Sequence, residues 1–310
     1  MKHASFFQIA SSLLSLVSVE CLPAKNEVVV PPSTTTDLTR GGNNLMQTMG
    51  EVDESSCRGN TMTWDKSKTP WEKLQLAQNL NLYQNIWQAN KVLDSGMSDI
   101  TCRAFNKGSV SWKNKFHMPC SPQDNNQVKT YTNVAWAGSP VPLKSAKIFN
   151  TTWNWKFLEE SSDLVLDVSY DIFLTKDPSC TSQDCASREV MIWLGALGGA
   201  RPAGTRSPVN GNPTGTLKVG GKYEFQVWQG TVNVPVISIF PAEEGRRYTS
   251  FKADLKKVLK TLQAFGIAKD EYILSVGAGI EIFKTKTAIK LVLHLSPKHR
   301  GVPRRSLAQS

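Results

Sequence analysis

The sequence predicts an all-β sandwich or jelly roll carrying one substantial helix. Two observations predict it. Short segments of alternating character recur between Gly, Pro, Asn and Ser punctuation, the rhythm of strands joined by turns. One segment breaks that rhythm: Ser250 to Phe265 sets Phe251, Leu255, Val258, Leu259 and Leu262 at helical spacing, with Gly266 as the stop.

In chain order, residues 1–22 start basic (Lys2, His3) and continue into the apolar stretch Phe6 to Val19. That run is too short to span a bilayer and reads as a secretory signal peptide. The mature product is therefore expected to be soluble, exported and, once the signal is removed, free of membrane. Residues 23–56, with Pro31-Pro32-Ser33-Thr34-Thr35-Thr36 and Gly41-Gly42-Asn43-Asn44, are polar and aperiodic, the composition of a disordered linker or propeptide. The folded domain is placed at 57–296, one large unit whose core needs no stapling. A basic disordered tail follows at 297–310. Inside the domain, strands are expected at Asn81–Gln88, Val128–Trp136, Leu164–Thr175, Glu189–Leu194, Tyr223–Gln229, Tyr272–Ile282 and Thr287–Leu295. No internal repeat and no separate carbohydrate-binding module is evident.

Export makes disulfides the expected state of the cysteines. Cys21 falls in the cleavage region, which leaves Cys57, Cys102, Cys120, Cys180 and Cys185, an odd number. The preferred pairs are Cys57–Cys102, tying two N-terminal strands, and Cys180–Cys185, closing a short loop. Cys120 is then free or pairs between chains. None of these spacings resembles a zinc site, so no metal and no cofactor is expected. Asn150-Thr151-Thr152 is a glycosylation acceptor sequence, which implies a surface loop at Asn150.

The formal charge is +10, yet nucleic acid is not the expected partner. Lys298, Arg300, Arg304 and Arg305 belong to the tail, and Lys252, Lys256, Lys257 and Lys260 cluster on the predicted helix, where charge is usually a solvated face. Weak attraction to acidic polymers or anionic surfaces fits an exported chain better.

Alternation sorts side chains by face. Glu189, Met191 and Trp193 share one face of their strand; Val190, Ile192 and Leu194 share the other. An aliphatic face belongs against an opposing sheet, whereas a Glu/Met/Trp face suits the floor of a groove. Asp167 and Asp171 share a face of the strand Leu164–Phe173. In the C-terminal strand Ser275, Gly277, Gly279, Glu281 and Phe283 share one face, and its glycines are read as letting a ligand approach beside Glu281. His117, His294 and His299 lie far apart, no nucleophile elbow surrounds a serine, and Gly198-Gly199 and Gly220-Gly221 form no phosphate loop.

These segments carry a resemblance. Glu189-Val-Met-Ile-Trp-Leu194 resembles the nucleophile strand of family 12 glycoside hydrolases, the small endoglucanases and xyloglucanases of fungi and bacteria. Asn81-Leu-Tyr-Gln-Asn-Ile-Trp87, Val128-Lys-Thr-Tyr-Thr-Asn-Val134 and Asp167-Val-Ser-Tyr-Asp-Ile-Phe173 resemble further family segments in the family's order. The helix and Gly279-Ile-Glu281 complete it.

The resemblance implies a β-jelly roll of two curved antiparallel sheets whose concave face forms an open cleft for an extended β-1,4-linked glucan. It implies Glu189 as nucleophile and Glu281 as general acid/base, with Asp171 supporting the nucleophile and Met191 as its apolar neighbour. Trp87 becomes the platform stacking on a sugar, with Asn85 beside it; Trp112 and Trp228 are further stacking candidates. A secreted retaining endo-β-1,4-glucanase acting as a monomer follows, on xyloglucan, mixed-linkage β-glucan or amorphous cellulose.

Asp167 is read as a surface or cleft-rim residue, Trp136, Trp153 and Trp155 as packing, and Arg201 and Arg206 as contacts to decorated chains. The family usually has Thr before the acid and often Pro after it, where this chain has Ile280 and Ile282. That departure supports the alternative, a non-hydrolytic glucan-binding paralogue acting as a binder or decoy.

Overall fold

The structure, a computed structural model, describes residues 57–297 apart from 107, 147–148 and 206–210. The expected signal, the linker, the tail beyond 297 and Arg206 lie outside the described residues.

Among the described residues, fifteen strands form two sheets. The six-stranded sheet runs β1 (Thr61–Asp65), β4 (Met97–Asn106), β5 (Ser109–His117), β15 (Ile289–Pro297), β7 (Asn150–Glu159), β13 (Ser250–Asp254). The nine-stranded sheet begins with β10 (Gly215–Val219), β11 (Tyr223–Thr231), β12 (Pro235–Pro241), β9 (Arg188–Leu197) and β8 (Val165–Thr175). It continues through β14 (Tyr272–Lys284), β6 (Thr130–Pro142), β3 (Leu80–Tyr83) and β2 (Lys73–Ala77). Every pairing is antiparallel except β12 with β9.

The core lies between the sheets. Leu166, Val168, Tyr170, Ile172 and Leu174 of β8, Val190, Ile192 and Leu194 of β9, and Val276, Ala278, Ile280 and Ile282 of β14 face inward. They meet Trp112, Phe116, Trp153, Trp155, Leu291, Leu293 and Leu295 of the six-stranded sheet. Burial of each large apolar side chain contributes about 1.5–3 kcal/mol. Ile280 and Ile282 are fully buried core residues. The Tyr170 hydroxyl meets that of Thr151 at 2.8 Å, so this polar tip within the core is satisfied.

A second apolar cluster (Val165, Met191, Trp193, Ala200, Val236, Phe240) lies on the other face of the nine-stranded sheet. Every residue of β8 is buried, although only alternate ones face the six-stranded sheet. The helix does not cover that free face, because it packs on β7 and β13. Coiling of a long twisted sheet on itself, together with its loops, accounts for the enclosure and makes this the concave side.

Four expectations need correction. The helix α1 is Leu255–Leu262 rather than Ser250–Phe265. Asp254 starts it as an N-cap, accepting from the Lys256 N–H at 3.1 Å, while residues 250–254 pair with β7. Phe251 therefore enters the core from a strand, and Gly266 ends the following turn at φ 111°. The strand expected at Asn81–Gln88 stops at Tyr83, since Asn85 takes a φ of 49° that extended pairing does not allow. Asn150 opens a strand paired with β13, not a loop. Finally, Trp112 is fully buried between the sheets, with Cys102 and Leu293 as its strand neighbours. A ring sealed in that core has no face to offer a sugar.

The disulfides Cys57–Cys102 and Cys180–Cys185 both form, with Cα separations of 5.7 and 5.8 Å. Among the described residues Cys120 keeps a free thiol.

Candidate active site

The concave face is built by register. Phe173 on β8 stands between Glu189 of β9 and Ser275 of β14. One step along, Asp171 stands between Met191 and Gly277, and then Ser169 between Trp193 and Gly279. In the next row Asp167 lies directly opposite Glu281, whose other neighbour is Tyr131 of β6. Asn85 adjoins that row, its side-chain amide donating to the Tyr131 carbonyl at 3.2 Å. Asp171 therefore lies between the two glutamates in register.

Local bonds hold the frame. The Tyr131 hydroxyl donates to the Ser169 carbonyl at 3.0 Å, and the Trp193 indole N–H points at the Met191 sulfur at 3.4 Å. Lys129, fully buried, gives its ammonium to the carbonyls of Asp124, Gln127 and Phe283. It thereby ties the loop before β6 to the β14 end that carries Glu281. Gly279 is demanded by the chain itself. A Cβ there would stand 2.2 Å from the Thr132 carbonyl oxygen, so close approach of β6, rather than of a ligand, requires this glycine.

The electrostatics are unusual for so dry a surface. Asp167 is 0% exposed, Asp171 3% and Glu189 7%, with Glu281 partly buried. Among the described residues no backbone N–H and no cation reaches either Asp167 carboxyl oxygen or Asp171 Oδ1, all of them buried. Burial raises all four carboxyls above their ordinary range. Glu189 is pushed up to about 7, first by desolvation and then by the charge of Glu281, while a hydrogen bond from Asp171 draws it back. Asp171 is raised well above its usual value by burial and then by the charges of Glu189 and Glu281. Asp167 is raised likewise, by burial and then by Glu281, with the Ser169 hydroxyl drawing it back in part. In Glu281 the desolvation is partly offset by the hydrogen bond with Asp167.

Carboxyls pushed upward in this way hold their protons to higher pH than free ones do. The sequence profile of Glycosyl hydrolase family 12 matches residues 78–294. The chain belongs to that family.

Among its relatives, a probable xyloglucan-specific endo-beta-1,4-glucanase A of Aspergillus clavatus is 29% identical over 227 residues, covering 73% of this chain and 88% of that protein. The protein of the same description from Neosartorya fischeri is 30% identical over 212 residues, covering 68% and 82%. Endoglucanase 3 of Trichoderma harzianum, from family GH12, shares the fold with a TM-score of 0.63 at 22% identity, covering 80% of this chain and 100% of that one. The chain is thus a glycoside hydrolase with the β-jelly roll of its family.

The remaining site residues distribute unevenly over the family 12 frame. Trp87 is 8% exposed with its indole N–H unpaired, just past Asn85 at the β3 end. Trp228 lies partly buried against the Met191–Trp193 cluster, on the opposite flank of the sheet. Arg201 lies over the Phe240 ring at 5.3 Å and pairs with Glu244 at 2.6 Å, so its charge already has a partner.

Two residues escaped the sequence reading. Trp71 is 38% exposed. Backbone bonds from Ile86 to Pro70 and from Gln84 to Glu72 continue the β2–β3 register, which sets Trp71 opposite Asn85 at the sheet's edge. Its Thr-Pro-Trp setting has no alternation to announce a strand. Asp167 is a buried partner of Glu281 rather than a rim residue. Alternation placed it on the face of Asp171, but only cross-strand register reveals what it faces.

Proposed function

We propose that this chain is an exported retaining endo-β-1,4-glucanase, with Glu189 as nucleophile and Glu281 as general acid/base. The observation that carries the reading is the set of buried carboxyls on the concave face, in which the charge of Glu281 reaches Glu189. A retaining mechanism uses two carboxyl groups about 5–5.5 Å apart. The Glu189 carboxylate attacks the anomeric carbon, the glycosidic C–O bond breaks, and Glu281 passes its proton to the departing oxygen. Water then adds to the same carbon as the Glu189 ester bond breaks, and Glu281 takes the water's proton.

Asp171 supports the ionised nucleophile, because its hydrogen bond favours the charged form of Glu189. Met191 lines the floor. Trp87 and Trp71 are assigned to one end of the bound chain and Trp228 to the other, where rings give grip on sugar faces without charge. Xyloglucan leads the candidate substrates because the relatives named above are described as xyloglucan-specific; mixed-linkage β-glucan and amorphous cellulose follow. The signal-like segment and the two disulfides support export.

Reducing-sugar release from the three polymers, by the wild type and by Glu189→Gln and Glu281→Gln, tests the reading. Turnover lost in both folded variants is the expected result, with the β-anomer appearing first by NMR. A folded wild type that binds glucan without turnover would favour the non-hydrolytic binder instead.

A further inference from the structure

Asp167 has no part in the double displacement just described, yet it is buried completely against its acid. Both of its oxygens are sealed from water, and the one hydroxyl beside them, that of Ser169, offsets the burial only in part. An ionised carboxylate in that state is prohibitively unfavourable and takes a proton instead. Directly opposite in the β8–β14 pair is Glu281, and residues so placed have Cβ atoms about 4.5–5.5 Å apart. Two carboxylates cannot bond to one another; a carboxyl and a carboxylate can.

The surrounding charges agree. Glu281 acts on Asp167 from β14, Tyr131 shares the row from β6, Asp171 lies on the same strand and Glu189 on β9. All are neutral or negative when ionised. Lys129, the cation two residues before Tyr131, directs its ammonium to three backbone carbonyls.

We propose that Asp167 is a positioning residue that stays protonated through the catalytic cycle and donates its carboxyl proton in a hydrogen bond to Glu281. One Glu281 oxygen is thereby held, and the other is left to give a proton to the leaving group and to accept one from water. The bond is strongest when Glu281 is ionised, so Asp167 makes Glu281 a stronger acid in the first step and orients it as base in the second. The inference rests on Glu281 being the acid/base.

The experiment compares Asp167→Asn, which keeps a donor, with Asp167→Ala, which does not, each folded by circular dichroism. The rate on xyloglucan is followed against pH beside Glu281→Gln, and dinitrophenyl β-cellobioside, whose leaving group needs no proton, separates the two steps. In Asp167→Ala the alkaline limb of kcat/KM is expected to move up by about one pH unit, and kcat to fall roughly 10-fold or more. Asp167→Asn is expected to keep the wild-type limb and most of kcat.

An unmoved limb in Asp167→Ala overturns the proposal, as does an Asp167→Asn as impaired as Asp167→Ala. Glu281→Gln should still release a rapid burst of about one equivalent of dinitrophenol, then turn over slowly for want of the base, while failing on xyloglucan. If it gives no burst, the acid/base reading itself falls and takes this inference with it, an outcome readily told apart from failure of Asp167 alone.

Discussion

The two faces of β8 are equally buried and chemically opposite. Toward the six-stranded sheet, Leu166, Val168, Tyr170, Ile172 and Leu174 fill the core, and the single polar tip among them, the Tyr170 hydroxyl, is bonded to Thr151. Toward the concave side, Asp167, Ser169 and Asp171 are buried with oxygens that, among the described residues, meet no backbone donor and no cation. One face contributes stability; the other stores a penalty that the first must offset. Natural active sites commonly break packing rules in this way, and the break points to function.

The largest effect is expected on the concave face, where the proposed chemistry can be removed with the core left untouched. Glu189→Gln should lower turnover on xyloglucan on the order of 10⁴-fold or more, with a melting temperature no lower than wild type. A melting temperature that drops with the activity would mean Glu189 supports the fold instead.

The opposite break is Ile172→Ala on the core face, which should cost about 2–5 kcal/mol of stability in a urea titration. At a temperature where the variant is folded, kcat on xyloglucan should be nearly unchanged. Lys129→Met should come next, losing about 1–3 kcal/mol through carbonyls left without their buried donor.

A pH series sharpens the contrast. Asp171 is raised above its unfolded value of about 3.9. Its contribution to stability is therefore full below the unfolded value and is lost as pH rises through the raised folded value. Asp171→Asn removes that loss, so its melting temperature relative to wild type should climb as pH rises above about 4, by roughly 2–4 °C per kcal/mol relieved. A difference that is flat with pH would mean Asp171 is already ionised in the fold. The smallest effect is reserved for the rim: Trp71→Ala should raise KM on long glucans about 2- to 5-fold, the loss of one stacking contact, with kcat and stability unchanged.

Much of this site was legible in the chain. Alternation is a property of each strand alone, so the face carrying Glu189, Met191 and Trp193 and the face carrying Glu281 could be read residue by residue. Ordered motifs supplied the family. The misreadings share one origin. Phe251, Leu255, Val258 and Leu262 satisfy a helical spacing, but pairing of 250–254 with β7 and the Asp254 cap move the helix start to Leu255. Trp112 is a stacking candidate for its ring alone, and only its sheet partners show that it faces the interior.

The sequence by itself determined the strand-rich composition, the two faces of each strand of the candidate site, the cysteine pairs and the family. Tertiary structure alone decided which residue of one strand meets which residue of the next: Asp167 against Glu281, Trp71 against Asn85, β6 pressed onto Gly279. The physical reason is that alternation is written into the local backbone, whereas register joins positions more than a hundred residues apart, as Asp167 and Glu281 are. It is settled only when whole sheets bury their apolar faces together.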